Sequence, residues 1–189
     1  MRINVFITPG AFTYNIHKLI KYLLPNAKIG DNYMNKYDIV VFSGGADINP
    51  KLYNEENLSS YYNEDRDEYE LRVLDKHYGK AKLYGICRGL QFLSATIYGL
   101  KLVQDIQPKH NNYHSTHINK FGIYKVNSLH HQGLMYSDNL PFEVLAIHNN
   151  IVESFIDYDN KVHSVQFHPE IMDTDEIKCY LNNLRNYLT

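Results

Sequence analysis

Two short apolar runs, Asp38–Phe42 (DIVVF) and Leu83–Ile86 (LYGI), constrain this chain more than any other feature. Each is a continuous apolar stretch closed by small residues. Ser43-Gly44-Gly45 follows the first, and Cys87-Arg88-Gly89 follows the second. Runs of this kind form strands buried on both faces, and such strands belong to parallel sheets covered by helices. Helical patterns lie around them. Ile16, Leu19, Ile20, Leu23 and Leu24 recur at helical spacing, and Pro25 ends that helix. Residues 66–78 are predicted helical, with Tyr69, Leu74 and Tyr78 among the apolar positions, and so are residues 88–98, ended by Gly99. A first strand, Ile3–Ile7, closes on Thr8-Pro9-Gly10. Alternation of strand and helix implies right-handed crossovers and a parallel sheet.

The second half reads differently. Strands are expected over 101–106, 122–126, 144–148, 152–158 and 162–167. They follow one another closely, so antiparallel hairpins join the sheet or cover one edge. Residues 51–65 are polar and irregular and are expected as a surface loop. The last element is a helix over 177–188, with Asp173 and Glu176 at capping-box spacing. No repeat or linker interrupts the chain. The expected fold class is one α/β domain over residues 1–189.

Composition excludes several functions. Among 189 residues there are two cysteines, Cys87 and Cys179, which make no disulfide framework and suit a reducing, cytoplasmic setting. The formal net charge of −2, without a basic run, argues against nucleic acid or an anionic membrane as partner. No apolar stretch is long enough to span a bilayer, and the apolar core of MRINVFITPG is too short for a signal peptide.

Three segments carry chemistry. Gly85-Ile86-Cys87-Arg88-Gly89 lies between a buried strand and a helix, the form of a nucleophile elbow. A helix N-terminus there favours a thiolate and an oxyanion. On this segment alone a packing cysteine and a nucleophile both stay open. Val165-Gln166-Phe167-His168-Pro169-Glu170 ends the last strand and offers a base, His168, and its orienting partner, Glu170. Pro169 is expected to hold His168 extended, with Glu170 two residues on and on the same side. Ser43-Gly44-Gly45 closes a third strand at the carboxyl edge, where open parallel sheets bind ligands. A backbone N–H of its glycine pair, with that of Arg88, would make an oxyanion hole.

These residues together resemble the class I glutamine amidotransferase family. GICRGLQ, SGGADINPKLYNE and VQFHPE carry the likeness. Finer marks resemble its γ-glutamyl hydrolase branch, which includes γ-glutamyl-γ-aminobutyrate hydrolase: Arg66-Asp67-Glu68-Tyr69-Glu70-Leu71, Val103-Gln104-Asp105-Ile106, and residues 126–132 (VNSLHHQ). The likeness runs from about residue 38 to residue 170. It implies a flavodoxin-like core and a Cys–His–Glu triad of Cys87 as nucleophile, His168 as general base and acid, and Glu170 as orienter. It implies oxyanion donors at Gly45 and Arg88, and substrate-facing positions at Gly44, Gln91, His131 and Gln132. The implied substrate is a small γ-glutamyl compound, and the implied chemistry needs no metal and no organic cofactor.

Two departures stand out. The stretch between the first helix and Asp38 is short for the branch, which opens one pocket wall to a leaving group larger than ammonia. A small amine such as γ-aminobutyrate fits that opening. So does a nucleotide phosphoramidate such as CDP-amidate, with Lys51, Arg66 and Arg88 expected as free cations. Also, no synthetase segment follows, so ammonia delivery to an attached site is not implied. The alternative is a glutaminase subunit serving a separate synthetase. A homodimer is compatible with either. The histidines of HNNYHSTH (His110, His114, His117) have spacings that zinc sites use, but no acidic residue or cysteine stands among them, and a polar loop is the expected reading. Arg66-Asp67 has no evident role beyond starting a surface helix.

Overall fold

Strand β1 (Asn4–Ile7), β3 (Ile39–Phe42), β4 (Lys82–Ile86) and β9 (Val162–Val165) lie side by side and parallel in a computed structural model that describes residues 2–106, 113–118 and 122–189. A three-residue strand, β2 (Lys28–Gly30), extends the parallel edge beyond β1. On the other side β8 (Ile151–Asp157), β7 (Glu143–His148), β5 (His114–Ile118) and β6 (Gly122–Val126) continue the same sheet antiparallel. The order among the described residues is β2-β1-β3-β4-β9-β8-β7-β5-β6.

The apolar runs are buried on both faces as their composition demands. All four residues of β3 are inaccessible, and they alternate between two cores. Val41 joins Val5, Tyr84, Ile86 and Val165 beneath helix α1 (Thr13–Leu23) and helix α4 (Lys178–Leu188). Val40 and Phe42 join Leu83 and Val162 beneath α2 (Glu64–His77) and α3 (Arg88–Tyr98). Each of the first pair of helices buries one stripe: Ile16, Leu19, Ile20 and Leu23 from α1, and Tyr180, Leu181, Leu184 and Leu188 from α4.

Register then places the chemistry. Phe42 pairs with Gly85, and Ile86 pairs with Val165. The carboxyl ends of β3, β4 and β9 therefore finish at one edge. Ser43-Gly44, Cys87 and the approach to His168 start from that edge together.

Four expectations need correction. Residues 101–106 form no strand; Val103 makes one isolated bridge to Gly133, and the next carbonyl, Gln104 O, accepts from Ser59 Oγ at 2.8 Å instead of from a neighbouring strand. The histidine-rich stretch is not a loop where it is described. His114–Ile118 is strand β5, held between β6 and β7. His110 lies outside the described residues. Glu64 already belongs to α2, and Pro50–Tyr53 is a 3₁₀ turn capped by Asn49, so the irregular loop is shorter than expected. Asp173 and Glu176 form no capping box. The Asp173 carboxylate accepts from the Asp175 N–H, and α4 starts only at Lys178. No helix among the described residues is long and apolar enough to cross a membrane.

Candidate active site

Cys87 stands alone between β4 and α3 with φ 53° and ψ −106°. A side-chain-bearing residue held there costs about 1–3 kcal/mol. The surroundings enforce it: the Cys87 N–H donates to Val165 O at 2.8 Å, and Phe42 packs beneath the helix start. The flanking glycines follow from the same crowding. A Cβ on Gly85 would lie 2.7 Å from the Gly89 backbone, and a Cβ on Gly89 would lie 2.1 Å from the Phe42 carbonyl oxygen. Gly89→Ala in an ordinary helix would gain about 1 kcal/mol. Here overpacking against backbone reverses the sign, and a net loss of about 1–3 kcal/mol is expected. A fall in the urea midpoint at unchanged m-value checks it, and a rise would show that the elbow has slack.

His168 follows β9. Asn127 grips its backbone at both ends: the His168 N–H donates to Asn127 Oδ1 at 2.8 Å, and Asn127 Nδ2 donates to His168 O at 2.9 Å. On the ring, Nδ1 meets Glu170 Oε1 at 2.7 Å. The path differs from the extended one expected. Pro169–Ile171 is a 3₁₀ turn, and this turn folds Glu170 back onto the ring. The Cys87 sulfur interacts with the same imidazole. Burial by itself would push His168 down. The Cys87 sulfur and the Glu170 carboxylate outweigh it and raise His168 to about 10. At neutral pH His168 is therefore held as the imidazolium.

The remaining expected positions surround this pair. Gly44 lies against His168: a Cβ there would come 2.6 Å from Cε1 of the ring. Gly45 has φ +137°, a conformation left to glycine, and its missing Cβ would meet Arg66 Nη1 at 2.3 Å. Gln91 is buried, and its amide nitrogen donates to Gln132 O at 3.1 Å and to Gln166 Oε1 at 3.3 Å. Gln166 Nε2 in turn donates to Cys87 Sγ at 3.5 Å. Gln91 thus reaches the sulfur through Gln166, a contact that residue spacing did not reveal. Gln132 is fully buried; its Nε2 donates to Ser60 Oγ, and its Oε1 has no hydrogen-bond partner among the described residues. His131 is partly exposed, with Nε2 3.0 Å from Asp47 Oδ2. Phe12 was not anticipated. It holds φ 55° at the start of α1, and its ring meets that of His168 edge-on at 5.3 Å. Nothing local in a sequence marks an exposed aromatic as an active-site neighbour.

Arg66 and Arg88 are not free cations. Arg88 is 1% exposed, and its guanidinium pairs with Asp67 and Glu70. Arg66 pairs with Glu70 at 3.2 Å. Arg66-Asp67 therefore lies in the first turn of a helix that turns charge inward rather than toward solvent. Cys179 lies exposed on α4. His114 stacks on His148 at 3.8 Å, and its Nε2 lies 3.6 Å from Glu153. Among the described residues, no three His, Cys, Asp and Glu side chains are grouped to hold a metal ion.

Comparison with known proteins gives the family and the fold. The Peptidase C26 family model matches residues 18–170. The chain is 32% identical over 162 residues to the glutamine amidotransferase-like protein YvdE of Lactococcus lactis, covering 74% of this chain and 68% of that protein. It is 27% identical over 199 residues to protein NtpR of Enterococcus hirae, covering 89% and 83%. The crystal structure of a GMP synthase component from Thermoplasma acidophilum superposes with a TM-score of 0.72 at 20% identity, over 100% of this chain and 93% of that one. The mostly parallel sheet with helices on both faces and added antiparallel strands is the flavodoxin-like glutamine amidotransferase fold. The chain belongs to the Peptidase C26 family of class I glutamine amidotransferase-like proteins.

Proposed function

We propose that this protein is a thiol hydrolase of γ-glutamyl amides, working through Cys87, His168 and Glu170. The observation that carries the reading is the Cys87 elbow facing an imidazole whose other nitrogen is held 2.7 Å from a buried carboxylate. Thiolate attack on the γ-carbonyl gives a tetrahedral oxyanion, received by the N–H groups of Gly45 and Arg88. The His168 imidazolium protonates the departing nitrogen, and a γ-glutamyl thioester remains on Cys87. Sulfur in the thioester carries no charge. The contact that raised His168 is then gone, burial draws the imidazole back down, and it can take a proton from water. Hydrolysis releases glutamate and restores the pair.

The leaving group is larger than ammonia. The segment between α1 and β3 holds only the three-residue β2, in keeping with its short length. The loop after the 3₁₀ turn is tied down instead. Gln104 Oε1 accepts from Leu58 N at 2.8 Å and Ser60 Oγ at 3.1 Å, and Asp47 Oδ2 accepts from Tyr61 N at 2.8 Å. With Arg66 and Arg88 engaged by carboxylates, Lys51 is what remains of the three expected cations to meet a phosphate, and Lys51 is exposed. A small amine such as γ-aminobutyrate therefore suits the site better than a nucleotide phosphoramidate.

A substrate panel tests this. We expect kcat/KM for γ-glutamyl-γ-aminobutyrate to exceed that for glutamine, with little change between low and high salt. If γ-glutamyl-CDP-amidate is the best substrate, its kcat/KM should fall with salt, since exposed charge attraction is screened over about 10 Å at 0.1 M. If free glutamine is best by a wide margin, the hydrolase reading gives way to a glutaminase that supplies ammonia to a partner.

A further inference from the structure

We infer that Arg66 and Glu70 brace the oxyanion hole of this site, as positioning residues that set the two backbone donors relative to each other. The inference rests on the thiol-hydrolase reading above, in which Gly45 and Arg88 supply those donors.

Glu70 is completely buried at the centre of the brace. Its Oε1 accepts from Thr8 Oγ1 at 2.8 Å and from Arg66 Nε and Nη2, both at 3.2 Å. Its Oε2 accepts from Arg88 Nη1. The second arm of Arg88 goes to Asp67, whose other oxygen accepts from the Asn49 N–H at 2.9 Å. One carboxylate thus holds the side chain of the first residue of α3. Through Arg66 the same carboxylate holds the loop after β3: Arg66 Nη2 lies 3.0 Å from Ser43 O, 3.2 Å from Ser43 Oγ and 3.0 Å from Gly44 O, and shares its two N–H bonds among them and Glu70.

Arg66 shares Gly44 O with the Ala11 N–H, which donates to it at 2.9 Å, and the two contacts together set where a catalytic hydrogen points. Gly44 C=O and Gly45 N–H belong to one planar, trans peptide unit, so they point in opposite directions. Fixing the carbonyl on Arg66 aims the Gly45 N–H away from Arg66. Two adjacent glycines leave that peptide free to rotate when nothing holds it. Arg66 occupies the space a Gly45 side chain would fill, with Nη1 at 2.3 Å from the Cβ position. A planar fork is needed, because one guanidinium has to serve Glu70 and two carbonyls at once.

Arg66→Lys keeps the charge beside Glu70 and loses the fork. We expect kcat for a γ-glutamyl amide to fall about 10- to 100-fold, in the range of a weakened oxyanion donor, with KM within about twofold of wild type. The rate at which iodoacetamide alkylates Cys87, a step that forms no oxyanion, should be unchanged. A residue that merely supported the elbow would slow alkylation as well. Arg66→Gln, which is neutral, should show the same split and serves if the lysine variant does not fold by its thermal midpoint. Wild-type kcat in a folded Arg66 variant, or equal losses in kcat and alkylation, overturns the brace. If Cys87→Ala retains turnover, the thiol-hydrolase reading falls and the brace with it. If Cys87→Ala is inactive while Arg66→Lys matches wild type, the brace alone falls.

Discussion

Cys87→Ala is expected to leave a folded protein with no measurable turnover of any γ-glutamyl amide. The proposed thioester route has no substitute for the sulfur. Removing a covalent nucleophile leaves only what binding and oxyanion donors provide, a loss on the order of 10⁶-fold in comparable hydrolases. The fold should tolerate the change. Cys87 is 5% exposed, the lost volume is one sulfur, and alanine meets the same backbone cost at φ 53° as cysteine does. A thermal midpoint within a few degrees of wild type, about the shift that 1 kcal/mol gives in a domain of this size, would show that. Cys87→Ser should be equally silent, since a hydroxyl is a far weaker nucleophile than a thiol at neutral pH. A glutamine-like diazo-ketone should label Cys87 and spare Cys179, which is exposed on α4. Label on Cys179, or full activity in Cys87→Ala, would sink the triad.

His168→Asn should lower kcat/KM by about 10²-fold or more, because it removes both the acid and the base. Glu170→Gln should cost less, since an amide can still orient the ring although it no longer stabilises the imidazolium. The titration of His168 adds a second signature. Its pKa lies near 10 in the folded protein against an ordinary 6.5, so the native state binds the proton more tightly than the unfolded chain does. The stability this provides is fully present below about pH 6.5 and is lost as pH rises through about 10. Urea midpoints of the wild type should therefore decline between pH 7 and pH 10, and His168→Asn should flatten that decline. On the kinetic side, kcat/KM should fall on the alkaline limb near pH 10, as the acid that protonates the leaving amine disappears. An alkaline limb near pH 7, or an unchanged stability slope in the variant, would contradict the imidazolium resting state.

Much of this site was legible in the sequence because its signals are local. DIVVF and LYGI read as strands with two buried faces from their length and the glycines around them, and Gly85 and Gly89 mark the crowded turn around Cys87. Helix α3 runs over Arg88–Tyr98 as its apolar spacing and terminal glycine require. Cys87, His168 and Glu170 were identifiable as a set by residue type, and β-sheet register then brings them to one edge. Local pattern failed where the partner was distant. HSTHI is a polar string that becomes a strand because β6 and β7 offer it hydrogen bonds on both sides. Residues 101–106 look strand-like, yet find only one bridge among the described residues.

The charged start of α2 shows the division most clearly. Arg66, Asp67 and Glu70 look in sequence like a solvated helix face, since charges spaced along a helix usually face water. Burying them is tolerable only if each meets an opposite charge or a hydrogen bond. The partners come from elsewhere: Arg88 from α3, Ser43 and Gly44 from the end of β3, and Thr8 from the end of β1. Sequence by itself determined the main parallel strands and the elbow and singled out the candidate reacting groups, because each depends on near neighbours. Tertiary structure alone decided which charges lie inside, because burial of an ion is settled by the residues that converge on it, and these are 18 positions from Glu70 for Arg88 and 62 for Thr8.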